Sequence, residues 1–350
     1  MSLFEQIVAP SGEGNPRNSE ASAVERTNGE ILLAYTDFYG GTGDDHDAAR
    51  ISAMISEDGG RTWGERLTLQ DKVGQMNVMS VSLLRLQSGE IACVYARKNS
   101  MSDLRPFIKR SVDEGKTWSE AVPVVTDDGY SEMDNDRLVQ MSLGRLLAPV
   151  SWSANVDLGH YISRCYYSDD RGRTWRRSAN SVDVPGVGAD EPAVVELKNG
   201  TVLMLFRTTL GQLWAAHSED GGETWGEAYP MIQLVSPNAP VNIKRIPSTG
   251  DLLVIWNHHW PAGTRGSEPV VTSSERTPLT AAISIDEGKT WCAFRDLETD
   301  PDGAFAYPSI LCIGEEVLLT YYSYDTTGQR QQGISLKLTI VPVRWFYGAL

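Results

Sequence analysis

The sequence has no run of about eighteen or more apolar residues, so it offers no candidate for a membrane-spanning helix. It is also short of positive charge: 31 Lys and Arg stand against 46 Asp and Glu, a net charge of −15. Nucleic acid is therefore excluded as a partner, because phosphates need a basic face. Cysteine is scarce. Cys93, Cys165, Cys292 and Cys312 are far apart and show no CxxC spacing, so they read as small buried apolar residues rather than a disulfide framework or a zinc site. His258 and His259 have no third ligand at metal spacing, and neither a metal nor a cofactor is expected. The start, Met1 to Val8, lacks the basic and apolar regions of a secretion signal. As written the sequence reads as cytoplasmic; a chain trimmed of a leader would read as secreted or periplasmic.

What the sequence has instead is repetition. The phrase S-x-D-x-G-x-T-W occurs five times, at Ser56–Trp63, Ser111–Trp118, Ser168–Trp175, Ser218–Trp225 and Ser284–Trp291. Each residue suits a turn: Asp accepts hydrogen bonds from amides ahead of it, Gly tolerates positive φ, and Trp covers the turn with apolar area. The phrase resembles the Asp-box, or bacterial neuraminidase repeat, of sialidase-like β-propellers. Spacings of 55, 57, 50 and 66 residues divide the 350-residue length into about six units. Radial repetition of four-stranded units is how such a chain avoids long exposed edges. The expected fold is all-β, a six-bladed β-propeller of four-stranded antiparallel blades forming one domain over residues 1–350.

A second repeat supports the same count. Runs of alternating apolar residues flank Gly29, Gly89, Gly144, Gly200, Gly250 and Gly314, and each reads as a β-hairpin. Every unit then holds two strands around the Gly, a third strand, the box turn and a fourth. Leu3–Val8 and Gly333–Val343 are expected to pair and close the ring.

This register predicts a functional face. The starts of first strands, the ends of second strands and the starts of third strands collect at one end of the units, and the boxes at the other. The face gathers Glu20, Asn135, Asp136, Arg137, Glu191, Asn242 and Tyr307 from the first group. The second group supplies Asp37, Arg97, Trp152, Arg207, Asn257 and His258, and the third Asp47, Arg50, Arg105, His160 and Arg276. Function is expected on this charged face. Asn135-Asp136-Arg137 is open to two readings, a substrate clamp or a buried network between blades.

The resemblance to sialidases extends to chemistry at short stretches. Glu191-Pro192 before a strand and Arg207 at the end of its partner are similar to the family's fourth blade, Arg276 before a late box to a further family arginine, and Tyr307 to the tyrosine that opens the last blade. The resemblance implies a glycoside hydrolase, exo-acting on a terminal acidic sugar. In it Tyr307 is the nucleophile, Glu191 accepts its proton, and arginines fork onto the sugar carboxylate. Asp47 is the acid that protonates the leaving oxygen. Counting back from Gly29 puts Ser19-Glu20-Ala21 where the family places its first arginine; Arg17 falls out of register, and Arg50 or Arg97 is the expected substitute. Glu20, Asp136, Arg137, Asn135 and His258 complete the expected carbohydrate-binding set. A non-catalytic carbohydrate-binding propeller, a protein-interaction propeller and a lyase or other glycosidase on this scaffold remain open.

Overall fold

The hairpins form where the alternation places them. In the computed structural model, which describes residues 3–259, 275–327 and 333–348, each of the six turn glycines has positive φ and joins two antiparallel strands. The first hairpin pairs Arg17–Glu25 with Ile31–Phe38, and Ala49–Ser56 and Leu67–Gln70 complete its sheet. Among the described residues four sheets are four-stranded. A nine-stranded sheet holds the second and third hairpins, linked by an inserted strand, Gly129–Glu132, which lies parallel to Asp103–Ser111 and antiparallel to Leu146–Ser153. The arrangement is an all-β propeller, and its sheets are consistent with six blades.

The two ends of the chain share a sheet. Phe4–Ala9 is the outer strand beside Ser335–Pro342, with Phe4 opposite Ile340. This is the pairing expected from the terminal runs, and it seals an edge that would otherwise stay open.

The core lies in the seams between neighbouring units, because second strands are buried on both faces. In Ile31–Phe38, Ile31, Leu33 and Tyr35 pack with Leu318, Leu336 and Leu338 of the last unit. Leu32 and Ala34, on the alternate face, pack with Ile91, Cys93 and Tyr95 of the second. Equivalent clusters join every following pair. Each buried Leu or Ile is worth ~1.5–3 kcal/mol, so these seams outweigh the surface ion pairs, typically ~0–1 kcal/mol each. All four cysteines are free; Cys93 and Cys165 are buried in seams, and Cys292 and Cys312 are half-buried.

Each box closes as its residues dictate. In the first, Asp58 Oδ1 accepts from the Thr62 amide at 2.8 Å and Oδ2 from the Thr62 hydroxyl at 2.7 Å, while Ser56 Oγ accepts from the Gly60 amide at 2.8 Å. Gly60 is needed twice over. Its φ is +90°, and a Cβ there would lie 2.5 Å from Leu318 Cδ1 of the neighbouring unit. The box is thus both a turn and a wedge between blades.

Candidate active site

The first strands of four units share one irregularity. The register slips between Ser19 and Ser22, Met79 and Ser82, Asp190 and Ala193, and Ala306 and Ser309. Within each slip one non-glycine residue has positive φ: Glu20 at +54°, Ser80 at +53°, Glu191 at +48° and Tyr307 at +56°. Asp136, at +60°, takes the same conformation ahead of the third hairpin. Such backbone costs ~1–3 kcal/mol per residue, and a bulge re-aims its side chain. The re-aimed side chains meet. Tyr307 Oη donates to Glu191 Oε1 at 3.0 Å, and Ser80 Oγ donates to Glu20 Oε2 at 3.1 Å.

Around the Tyr307–Glu191 pair stand three arginines. Arg207, at the end of Val202–Arg207, places Nη1 2.9 Å from Glu191 Oε2 and directs Nε and Nη2 to Asp190 Oδ2 at 3.1 and 2.8 Å. Arg276 lies over the Tyr307 ring at 5.3 Å and donates to the Tyr322 hydroxyl. Arg17 forks between Glu20 and Asp45 and reaches Ser19 Oγ at 2.8 Å. All three act electrostatically on Tyr307.

The electrostatics follow from this packing. Burial pushes the Tyr307 hydroxyl well above its ordinary range and the Glu191 carboxylate adds to that, while Arg276 and Arg207 pull the other way. Burial likewise raises Glu191 against the opposing pull of Arg207. Burial alone would discharge the arginines, but Glu20 and Asp45 hold Arg17 charged, and Glu191 and Asp190 hold Arg207.

The expected residues divide. Glu191, Tyr307, Arg207 and Arg276 come together, and Glu20 lies beside them as the partner of Arg17. Asp47 does not point in. Its Oδ2 turns back into its own loop and accepts from the amides of Thr42, Gly43 and Asp44 at 2.8, 3.0 and 3.0 Å. The carboxylate of that loop that meets an arginine is Asp45, which accepts from Arg17. Neither Arg50 nor Arg97 substitutes for a missing arginine, since Arg17 is already there. Arg50 pairs with Asp37 at 2.8 Å and Arg97 lies over Phe107 at 4.1 Å. The bulge at Glu20 explains the error, because counting back along an unbroken strand misplaces everything before it.

The Asn135-Asp136-Arg137 stretch forms a buried network rather than a clamp. Asp136 accepts from Ser22 Oγ at 3.0 Å, Asn242 Nδ2 at 3.0 Å, Lys244 Nζ at 2.6 Å and the Ile310 amide at 2.8 Å, tying four units together. Asn135 Nδ2 donates to the carbonyls of Ala21 at 2.7 Å and Tyr307 at 3.1 Å, and Arg137 turns to Asp134 at 3.3 Å. His258 packs on Trp256 and Phe294 at ring separations of 5.2 and 5.1 Å, where burial depresses its pKa. Trp260, which with His258 and His259 forms the run expected to stack on a sugar ring or fill the blade rim, lies outside the described residues.

Sequence reasoning missed Asp45, Asp190, Tyr322, Glu132 and Asp134. Glu132, Asp134 and Glu191 bring carboxylate oxygens within 4.8 Å of one another, the one such group among the described residues that is suited to a cation. Two of them already hold guanidiniums, Glu191 that of Arg207 and Asp134 that of Arg137.

Comparison with known proteins agrees with this architecture. The BNR repeat-like domain matches residues 29–318. The sialidase of Micromonospora viridifaciens is 26% identical over 351 residues, covering 86% of this chain and 51% of its own length. The sialidase of Bacteroides fragilis is 23% identical, covering 94% of this chain and 64% of its own length. The chain thus spans about half to two-thirds of these curated relatives. Among solved structures, a mutant of the NanB sialidase from Streptococcus pneumoniae superposes with a TM-score of 0.74 at 15% identity, over 98% of this chain and 71% of that one. A Dyadobacter fermentans protein of unknown function superposes with a TM-score of 0.74 at 22% identity, over 97% of this chain and 99% of that one.

Proposed function

We propose, from the premise that this chain belongs to the BNR repeat-like domain family, that it is a retaining glycoside hydrolase, exo-acting on a terminal acidic sugar. The observation that carries the proposal is the 3.0 Å hydrogen bond from Tyr307 Oη to Glu191 Oε1, with Arg207 on the carboxylate, Arg276 over the ring and Arg17 in electrostatic reach. The sialidase relatives support the same reading. Three guanidiniums offer an anionic ligand direct cationic partners against a net charge of −15, two of them already flanked by acids that the ligand must compete with.

The roles follow from position. A ligand carboxylate takes Arg276, whose contacts among the described residues are tyrosines, and competes for the forks of Arg17 and Arg207. Tyr307 Oη bonds to the anomeric carbon as the bond to the leaving oxygen breaks. The phenolic proton passes to Glu191, and Asp45, rather than Asp47, protonates the leaving oxygen. Water then reverses these transfers and frees the sugar with its anomeric configuration retained.

The test is a panel of chromogenic aryl sialosides beside other aryl glycosides, run with wild type and Tyr307→Phe. Release from a sialoside, lost in the variant, is the expected result. Release from another glycoside alone would keep the Tyr307–Glu191 pair and reassign the sugar. Absence of turnover with sugar binding retained would overturn the enzyme reading in favour of a carbohydrate-binding propeller.

A further inference from the structure

Among the described residues the inserted strand Gly129–Glu132 has no equivalent in the other units, and it delivers an acid to the proposed nucleophile pair. Glu132 stands opposite Ser151 in the sheet, and Ser151 Oγ accepts the Glu191 amide at 2.6 Å. One serine therefore fixes the separation of the two glutamates. Asp134 follows two residues later, and oxygens of all three acids lie within 4.8 Å of one another, close enough for direct contact or one bridging water. Three carboxylates at that separation do not all stay ionised, as two sharing a site already do not.

We propose that Glu132 is a positioning residue for the Tyr307–Glu191 pair: it carries, as a carboxylic acid, the proton that the cluster retains, and so keeps Glu191 ionised and facing Tyr307. The proposal rests on the glycosidase reading for its kinetic consequence but not for the proton itself. The distribution of cations selects the holder. Glu191 has Arg207 at 2.9 Å and Asp134 has Arg137 at 3.3 Å, whereas Glu132 has no ion pair among the described residues. The charged groups facing it are otherwise mainly acidic: Asp134 on its own segment, Asp190 and Glu191 on the adjoining strand, and Asp45 on the loop above. Lys98 is the opposing cation, but its ammonium is buried and donates to the Asp45 carbonyl at 3.0 Å. Burial makes Tyr130 and Tyr161 harder to ionise, and Glu132 adds to the effect at each. Burial raises Glu132 and Glu191 alike well above the usual carboxylate range and Asp134 to about 6, so the cations rather than burial separate the three. Glu132 is the half-exposed member of the three, so the retained proton exchanges with solvent there. When Glu132 ionises, its charge makes Tyr307 harder to deprotonate and repels an anionic sugar.

Two measurements decide the matter. The first is the infrared carbonyl band of a protonated carboxyl at neutral pH, in wild type and in Glu132→Gln. A band present in wild type and absent from the variant is expected. No band in wild type, or a band unchanged in the variant, would overturn the proposal whether or not any glycoside is hydrolysed, and the wild-type arm stands even if the variant does not fold. The second is the pH profile of kcat/KM on the glycoside identified by the panel. Glutamine mimics the neutral acid, so the low-pH rate is expected to stay within about threefold while the alkaline limb moves up by about one pH unit or more. An unmoved limb, or an equal loss at every pH, would reduce Glu132 to a structural residue.

Discussion

Arg17 and Glu20 are joined guanidinium to carboxylate although they are three residues apart on one strand, a spacing that strict alternation sends to opposite faces. The left-handed residue at Glu20 turns the two to the same side. Glu20 stays fixed, because Thr36 Oγ1 and Ser80 Oγ hold its other oxygen at 3.1 Å each. The bulge thus builds the third arginine of the site out of a sequence that has no arginine in register.

Replacement of Arg17 by lysine keeps the charge but loses the fork. Charge-assisted hydrogen bonds are worth about 1.5–3 kcal/mol, so KM for an acidic sugar is expected to rise roughly ten- to a hundredfold. Arg50→Ala is expected to leave KM within about twofold, since Arg50 serves Asp37, which keeps Ser52 and Asn15 as partners. Steady-state kinetics on the three proteins check this. A KM effect at Arg50 but not at Arg17 would return the site to its in-register assignment.

Much of this was legible from residue types. Box phrases and Gly-centred hairpins identify the units, and the terminal runs show which strands seal the ring. Glu191, Arg207, Arg276 and Tyr307 follow from short motifs. The rest was hidden for physical reasons. A β-bulge made by Glu or Tyr has no composition signal, unlike one made by glycine. Asp45 and Asp47 share one acidic loop, and only the coordinates separate the carboxylate that faces Arg17 from the one that caps the loop. Glu132 and Asp134 sit on an inserted strand that the repeat does not predict.

Asp45 and Asp47 should separate by leaving group. Partial desolvation by the surrounding loop favours protonation of Asp45, whose side chain is still 57% exposed, but Arg17 overcomes it and holds the acid low in the free protein. A ligand carboxylate that takes the Arg17 fork releases Asp45, which then regains its proton near the leaving oxygen. Asp45→Asn is therefore expected to cut turnover of alkyl glycosides by about 10²–10⁴-fold, as loss of a general acid does. Aryl glycosides with acidic leaving groups need less protonation and should lose far less. Asp47→Asn loosens the loop through its Thr42 and Asp44 amide contacts and should affect both substrate types alike. A leaving-group series on both variants reads this out, and equal slopes for the two would remove Asp45 from the acid role.

Asp136 is a stability residue. It accepts four hydrogen bonds while only 4% exposed, one of them from the Lys244 ammonium. Asp136→Ala strands those donors between blades, and breaking a buried pair in this way costs about 3–5 kcal/mol. Denaturant titration should show that loss. A change under about 1 kcal/mol would show that water replaces the carboxylate.

The boxes set the acid limit of the fold. The Thr62 amide holds Asp58 at about 2, and the Thr117 hydroxyl does the same for Asp113. Burial opposes the shift at Asp170, but the Thr174 amide and hydroxyl still bring it to about 2. Asp220 and Asp286 are also lowered. These pKa values lie below that of an unfolded aspartate, about 3.9. The stability they give is therefore complete above that pH and is lost as pH falls through about 2, below which folded and unfolded chains bind the same protons. Tm should be nearly level across the range above about pH 5 as far as the boxes contribute, and should fall steeply between about pH 4 and 2. Asp→Asn changes in two boxes isolate their share, because asparagine keeps an acceptor but has no proton to gain. Their Tm should be lower than wild type at pH 6, with the gap narrowing at pH 2.5. A gap that stays constant with pH would mean that the box carboxylates act only as hydrogen-bond acceptors and that other acids set the limit.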